Sequence, residues 1–199
     1  MSESPTSVGE SVAVLGPGAI GLLGVAVAKS LGAQPVILTG TRDNRLEIGK
    51  KLGADHVINV RNEDAITKVR EYTGDIGVDY VLECSGAPSG LNDAAQMVNR
   101  GGKICLAAFP GKDVPVDVAH LVRNNIYVYG IRGEGSSGTH RAAALMEQKR
   151  FDATLIHTHT FTMDDLPEAI RYAKDRVDDA IKVVVKNKFA ESKSAVAAE

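Results

Sequence analysis

Residues 11–33 read SVAVLGPGAIGLLGVAVAKSLGA. The first five residues of this stretch are mostly apolar and β-branched, which is typical of a buried strand. Its last twelve residues form an apolar segment, and Gly32 near the end is placed to stop a helix. Between these two parts, residues 16–21 have the spacing G-x-G-x-x-G. A glycine turn that joins a strand to a helix predicts a dinucleotide-binding site.

Each glycine of this motif has its own physical task. Gly16 permits the tight turn, Gly18 lets a pyrophosphate approach the backbone, and Gly21 lets the helix pack closely on the strand. Ala19 and Ile20 complete the turn, where free N–H groups and the helix dipole face the phosphates. The alternative is an ordinary glycine-rich turn. The correct flanks on both sides favour nucleotide binding.

The composition of the 199-residue chain is that of a soluble globular protein, with 44% hydrophobic and 24% charged residues. A net charge of −2 gives no electrostatic reason to expect nucleic acid or an anionic membrane as a partner. We find no apolar run long enough to span a bilayer and no signal-peptide pattern in residues 1–5. Cys84 and Cys105 fall in predicted buried strands, which favours reduced thiols in a cytoplasmic protein over a disulfide between them.

Short apolar runs alternate with helical patterns along the chain. Strands are predicted at 11–15, 36–39, 56–59, 78–83, 103–107, 126–131 and 180–186. Helices are predicted at 22–33, 43–52, 63–72, 88–99, 139–149 and 164–174. This alternation predicts an α/β fold with a doubly wound parallel sheet of about six strands and helices on both faces. We assign residues 9–187 to this dinucleotide-binding domain and residues 188–199 to a disordered tail.

The end of the second predicted strand indicates which dinucleotide is bound. An acidic residue in this place would hydrogen-bond the adenosine ribose and repel a 2′-phosphate, but the chain has Gly40 there. Thr41 offers a hydroxyl, and Arg42 and Arg45 offer charged planar donors to a phosphate. The alternative is that both arginines are solvated at a helix start capped by Asp43. The combination of glycine and arginines favours NADP(H) over NAD(H).

Several ordered stretches resemble the cofactor-binding domain of the medium-chain dehydrogenases/reductases, in the zinc-type branch of sorbitol, threonine and secondary-alcohol dehydrogenases. The stretches are residues 14–21, 51–59, 78–86, 99–104 and 181–185. Together they span about residues 9–187, so the resemblance is more specific than the glycine motif alone. It supports the assignment of a 2′-phosphate to residues 40–42 and 45.

The resemblance also implies positions for the rest of the cofactor. Cys84, Ser85 and Gly86 would pass under the dinucleotide. Ala107, Ala108 and Phe109 would lie near the nicotinamide.

The resemblance implies that an N-terminal zinc-bearing catalytic domain is missing from this chain. Zinc and the small-molecule substrate are therefore expected only in a full-length enzyme, and we assign no catalytic residue and no metal ligand here. His157 and His159 share one face of a possible strand, which occurs in metal sites, but similar stretches are ordinary framework in the family. We expect this polypeptide to bind cofactor with little or no turnover.

Two other polar residues have competing interpretations. Glu83 ends a strand at the edge where ligands bind, so it could contact the cofactor ribose or act as a base, although a solvated carboxylate is favoured. Arg132 follows the sixth strand in a glycine-rich loop. It could approach a substrate, or it could form a salt bridge with Glu134 or with a neighbouring chain.

The favoured function is the NADP(H)-binding domain of an oxidoreductase that transfers hydride between nicotinamide and a secondary alcohol, polyol or ketone. The alternatives are a stand-alone dinucleotide-binding or regulatory module, and the cofactor domain of a zinc-free quinone or enoyl reductase. Family members generally dimerise through the sixth strand. We therefore expect a homodimer through Tyr127, Val128, Tyr129 and Ile131, which also covers an apolar edge.

Overall fold

The computed structural model describes residues 8–133 and 135–187. The tail assigned to residues 188–199 lies outside the described residues. The chain divides into two compact units, Met1–Asp152 and Ala153–Glu199. Within the described parts of the chain, no helix combines the length and apolar character needed to cross a membrane.

The first unit is built on one parallel six-stranded sheet with strand order β3-β2-β1-β4-β5-β6. The strands are β1 Val12–Leu15, β2 Val36–Gly40, β3 His56–Asn59, β4 Val78–Glu83, β5 Val98–Leu106 and β6 Tyr127–Gly130. The predicted α/β class with a doubly wound parallel sheet is confirmed. The order of strands reverses between β1 and β4, which is where such sheets bind ligands.

The helices of this unit lie between the strands along the chain. They are α1 Ala19–Ser30, α2 Asp43–Lys51, α3 Ala65–Tyr72, α4 Gly90–Met97, α5 Val118–Arg123 and α6 Gly135–Glu147. Strand β1 is buried at all four residues, because a parallel sheet covered on both faces leaves its central strands no contact with water. A shared core contains residues such as Ala13, Ile37, Val81 and Ile104.

The differences from the sequence predictions that matter most for the first unit concern α1, β5 and α5. Helix α1 starts at Ala19, inside the glycine motif, because Gly18 is its N-cap. Strand β5 starts at Val98, inside the helix predicted at 88–99 and five residues before the strand predicted at 103–107, and its register with β4 is interrupted by an irregularity between Val78 and Tyr80. Helix α5 was not predicted; the Asp117 side chain accepts a hydrogen bond from the His120 N–H and so caps its start.

The second unit contains β7 His157–Thr162, α7 Leu166–Asp175 and β8 Lys182–Lys186, with short 3₁₀ turns at Ala153–Ile156, Met163–Asp165 and Val177–Asp179. Strands β7 and β8 form a separate two-stranded parallel sheet. The last predicted strand therefore exists, and it pairs with β7 and not with the six-stranded sheet. Pro167 near the start of α7 suits a position that needs no backbone donor.

Candidate functional site

The predicted cofactor residues lie on loops that leave the carboxyl ends of neighbouring strands. The glycine motif follows β1, Thr41 and Arg42 follow β2, residues 84–86 follow β4, and residues 107–109 follow β5. Because all these strands run parallel, their carboxyl ends meet at one edge of the sheet. The fold thus brings four separate stretches of sequence together at the edge where doubly wound sheets bind ligands.

The glycine turn packs closely against the end of β2 and the loop after β4. Gly16 has a φ of +99°, in the left-handed region that favours glycine. Its N–H donates to the carbonyl oxygen of Thr39 at 3.0 Å. A Cβ on Gly16 would lie 2.8 Å from the Cα of Ser85, and a Cβ on Gly21 would collide with the carbonyl oxygen of Gly16. These two glycines are therefore required by the protein's own backbone.

Gly18 differs from the other two, because a Cβ there would meet no atom within 4 Å. It is the N-cap of α1, and among the described residues no side chain caps this helix and no acid occupies its first turn. The first amide groups of a helix have no partner inside it, so they point toward the open side. Ile20 in the same turn is 60% exposed. The turn therefore has the geometry and the polarity of an anion-binding site.

The four residues assigned to the 2′-phosphate lie in different environments. Thr41 is exposed and Arg42 is partly exposed, so both side chains are accessible from solvent. Gly40 is buried, and the space beside it contains the ring of Pro17. Arg45 is only 7% exposed, so unlike Arg42 its side chain is largely inaccessible to solvent. This arrangement makes Arg42 the stronger candidate for a phosphate contact.

The predicted N-cap role of Asp43 is wrong by one residue. Arg42 is the N-cap of α2, with extended backbone angles of −129° and 115°, and Asp43 is the first helical residue. The Asp43 carboxylate accepts a hydrogen bond from the Asn59 side-chain amide at 2.6 Å. This contact joins the start of α2 to the end of β3.

Glu83 is buried, with 4% exposure, so the favoured prediction of a solvated carboxylate is wrong. Its Oε1 accepts hydrogen bonds from the backbone N–H groups of Ser85 at 2.8 Å and Gly86 at 3.0 Å. The Ser85 hydroxyl donates a further short hydrogen bond to the same oxygen. A buried carboxylate needs such partners, and it orders in return the loop that contacts Gly16. Glu83 thus fixes the loop of Ser85 and Gly86, which packs against Gly16 in the glycine turn.

Cys84 and Cys105 are both free, in agreement with the prediction of reduced thiols. Cys105 is buried in β5, but the predicted position of Cys84 in a buried strand is wrong, because β4 ends at Glu83 and Cys84 is only partly buried. The Cys84 N–H donates to the carbonyl oxygen of Leu15 at 2.8 Å, so its backbone extends the pairing of β4 with β1. Burial, with the nearby charge of Glu83, raises the pKa of the Cys84 thiol to about 12. The thiol is therefore suited to packing and not to nucleophilic chemistry.

We predict that iodoacetamide alkylates Cys84 of the folded chain at pH 8 at least about a hundredfold more slowly than it alkylates glutathione. With the pKa raised to about 12, about one thiol in ten thousand is ionised at pH 8, and the rate should rise with pH. Mass spectrometry of the labelled protein measures this rate. The urea-unfolded chain is the control and should react at an ordinary rate. Labelling of folded protein as fast as glutathione would contradict the prediction.

The loop after β5 presents the residues assigned to the nicotinamide end. The Ala107 N–H donates to the carbonyl oxygen of Glu83 at 2.9 Å, which continues the pairing of β5 with β4. Phe109 is 74% exposed, and the guanidinium of Arg132 lies 5.8 Å from its ring centroid. This cation–π contact joins the loops that follow β5 and β6. Glu134, which the sequence offered as a partner for Arg132, lies outside the described residues.

The two histidines of β7 have different neighbours. The His157 ring contacts the Thr160 hydroxyl at 2.8 Å, and the His159 ring lies 5.0 Å from the Tyr172 ring. The pairing of β7 with β8 shifts between the two histidines, so they do not follow one another on a regular strand face. In residues 8–133 and 135–187 there is no group of three or more His, Cys, Asp or Glu arranged to hold a metal ion.

Sequence reasoning did not assign a role to Pro17 and did not predict that Glu83 is buried. Pro17 is one of the x positions of the G-x-G-x-x-G motif, so the motif itself assigns it no function. Its role follows from the structure, in which its ring fills the space beside Gly40. For Glu83 a signal existed in the sequence, since Ser85 and Gly86 follow closely and offer donors to a carboxylate that turns back.

Comparison with known proteins gives consistent matches. Residues 19–148 match a family model described as zinc-binding dehydrogenase. The chain is 32% identical over 178 residues to a sorbitol dehydrogenase of Bacillus subtilis, covering 89% of this chain and 50% of that protein. It is 37% identical over 158 residues to an L-threonine 3-dehydrogenase of Alteromonas mediterranea, covering 79% and 46%.

The solved structures give a similar result. An alcohol dehydrogenase from Thermotoga maritima superposes with a TM-score of 0.87 at 28% identity, covering 94% of this chain and 52% of that one. The chain spans about half the length of the curated relatives it matches.

Proposed function

Because the chain belongs to the zinc-binding dehydrogenase family, we propose that it binds NADP(H) at the carboxyl edge of its six-stranded sheet. The glycine turn would hold the pyrophosphate, and residues 107–109 would lie beside the nicotinamide. The observation that supports this most strongly is the uncapped start of α1, where the space above Gly18 is open. A dianionic pyrophosphate fits such a site, because free amides and the helix dipole both favour negative charge.

We propose NADP(H) and not NAD(H) because of the residues that follow β2. The position that would carry an acid is Gly40, and Arg42 beside it is partly exposed at the N-cap of α2. A guanidinium can bind a phosphate through two parallel hydrogen bonds. Thr41 is exposed next to it and would add a hydroxyl donor. Arg45 is buried, so its contribution would be to support this corner of the site.

The proposed reaction of the whole enzyme is hydride transfer between the nicotinamide and a secondary alcohol, polyol or ketone. The bound cofactor supplies the hydride chemistry. This chain would bind and orient it, with Glu83 holding the loop that contacts the glycine turn. The described residues offer no set of three metal ligands, so we assign to them no step that depends on zinc.

The test is a pair of fluorescence titrations of the 199-residue chain with NADPH and NADH. We expect NADPH to bind at least about tenfold more tightly, because one charge-assisted hydrogen bond contributes about 1.5–3 kcal/mol. With sorbitol or butan-2-ol and added zinc, we expect little or no turnover. Absence of binding would contradict the proposal, and equal affinities would contradict its coenzyme preference.

We also propose that the chain forms a homodimer through β6 and acts in the cytoplasm. Among the residues that the structure describes, β6 is the last strand of its sheet and has β5 as its neighbour. Tyr127 is 64% exposed, whereas the Tyr129 hydroxyl contacts the Tyr80 hydroxyl at 2.9 Å. An exposed apolar strand edge favours pairing with a second copy. Sedimentation equilibrium at tens of micromolar tests this, and a monomer would contradict the proposed dimer.

A further inference from the structure

The space beside Gly40 is already occupied by another residue. A Cβ built on Gly40 would lie 2.5 Å from both the Cδ and the Cγ of Pro17, and 3.4 Å from a methyl group of Leu46. Real Cβ atoms do not approach other atoms as closely as 2.5 Å. Position 40 therefore cannot carry any side chain, acidic or otherwise, while the Pro17 ring stays where it is.

The need for glycine at position 40 is steric and not conformational. The backbone of Gly40 does not have a positive φ, unlike that of Gly16 at +99°. Gly40 is an ordinary strand residue whose carbonyl oxygen accepts a hydrogen bond from the Val60 N–H at 2.9 Å. Any residue could adopt this backbone if the space were available.

Pro17 is not able to move away easily. Its own ring fixes its φ angle, and the residue before it is bonded to the same strand end through the Gly16 N–H and the Thr39 carbonyl, at 3.0 Å. On the other side, Gly16 lies so close to the backbone of Ser85 that a Cβ on Gly16 would be 2.8 Å from the Ser85 Cα. The ring is thus held between the glycine turn and the end of β2.

We propose that Pro17 is a specificity-determining residue, because its ring excludes from position 40 the carboxylate that would select NAD(H). Pro17 and Gly40 then act as one coupled pair that joins the pyrophosphate turn to the 2′-phosphate position. This inference rests on the proposed function, in which residues 40–42 hold the adenosine phosphate. It predicts that coenzyme preference cannot be reversed at Gly40 alone.

A melting experiment on four proteins tests the coupling without any coenzyme. The proteins are the unaltered chain, Gly40→Ala, Pro17→Ala and the double variant. We expect Gly40→Ala to lower the melting temperature by about 4–8 °C, as overpacking does in a protein of this size. Pro17→Ala removes the two ring atoms that collide, so Gly40→Ala should cost less than about 2 °C in that background. An equal loss in both backgrounds would overturn the proposal.

A second experiment tests specificity with Gly40→Asp in the same two backgrounds. With Pro17 present, we expect weaker binding of both NADPH and NADH. With Pro17→Ala, we expect the ratio of NADPH to NADH affinity to shift at least about tenfold toward NADH. A stable Gly40→Asp protein that prefers NADH while retaining Pro17 would overturn the proposal.

The two experiments separate this inference from the proposed function. If the unaltered chain binds both coenzymes equally, the assignment of the phosphate site fails, and with it the specificity role of Pro17. The melting cycle still decides the steric coupling in that case, because it involves no coenzyme. If the chain prefers NADPH but the cycle shows no coupling, the proposed function stands and the role of Pro17 is overturned.

Discussion

Replacing Gly21 by Ala is expected to lower the free energy of unfolding by about 3 kcal/mol and the melting temperature by about 6–12 °C. The reason is that the added Cβ would collide with the carbonyl oxygen of Gly16 and crowd a methyl group of Val14. A backbone oxygen cannot rotate away as a side chain can, so α1 must shift relative to β1. We expect dinucleotide binding to be lost as well, because the shift moves the amides that would face the pyrophosphate.

Two matched variants make the Gly21 experiment interpretable. Gly18→Ala adds a Cβ that meets no atom within 4 Å, so it should melt within about 2 °C of the unaltered chain. It should nevertheless bind NADPH at least about tenfold more weakly, because the new methyl group faces the approaching phosphate. Gly111→Ala, also in open space, is the control for stability. Differential scanning calorimetry and titration measure the two effects. Unchanged melting of Gly21→Ala would contradict the packing argument.

Replacing Arg42 by Ala is expected to weaken NADPH binding by about 10–100-fold and to leave NADH binding nearly unchanged. Arg42 is the partly exposed cation next to Gly40, and only NADPH carries the phosphate that it would contact. The loss in NADPH affinity should shrink as salt is added, because exposed charge pairs are screened.

The control for Arg42 is Arg100→Ala, which removes an exposed arginine early in β5, away from the carboxyl ends of the strands. It should change neither coenzyme affinity. Parallel titrations with NADPH and NADH at low and high salt give the comparison. An equal loss for both coenzymes in Arg42→Ala would point to a damaged site and contradict a phosphate contact.

The element pattern was predictable because its signals are local. β3 and β4 were predicted with the bounds that the structure has, since short apolar runs between turns have few alternatives. The start of β5 was not predictable from such signals. Residues 100–102 contain two glycines that indicate a turn, yet the structure continues them as strand, with Gly101 at a φ of +81°. Tertiary contacts stabilise that irregular start: Val98 pairs with β4, and the Gly101 N–H donates to the carbonyl oxygen of Asn124 at 2.9 Å.

The environments of the site residues were harder to predict than their positions. Arg42 and Arg45 are three residues apart in the sequence and equally charged, but one is partly exposed and the other is buried. Glu83 was expected in solvent, and the structure buries it under a loop that donates to it. Ser85 and Gly86 offer nearby donors to Glu83, but burial also depends on what packs above a residue, and the neighbouring sequence does not show which residues those are.

The amino-acid sequence by itself determined the α/β class, the parallel sheet and the glycine turn between β1 and α1. These follow from hydrophobic period and from glycine spacing, which act over neighbouring residues. Only the tertiary structure decided that Pro17 fills the space beside Gly40, and that Glu83 supports the loop beneath Gly16. Such contacts join residues far apart in the chain, so they exist only after the strands have come together in one sheet.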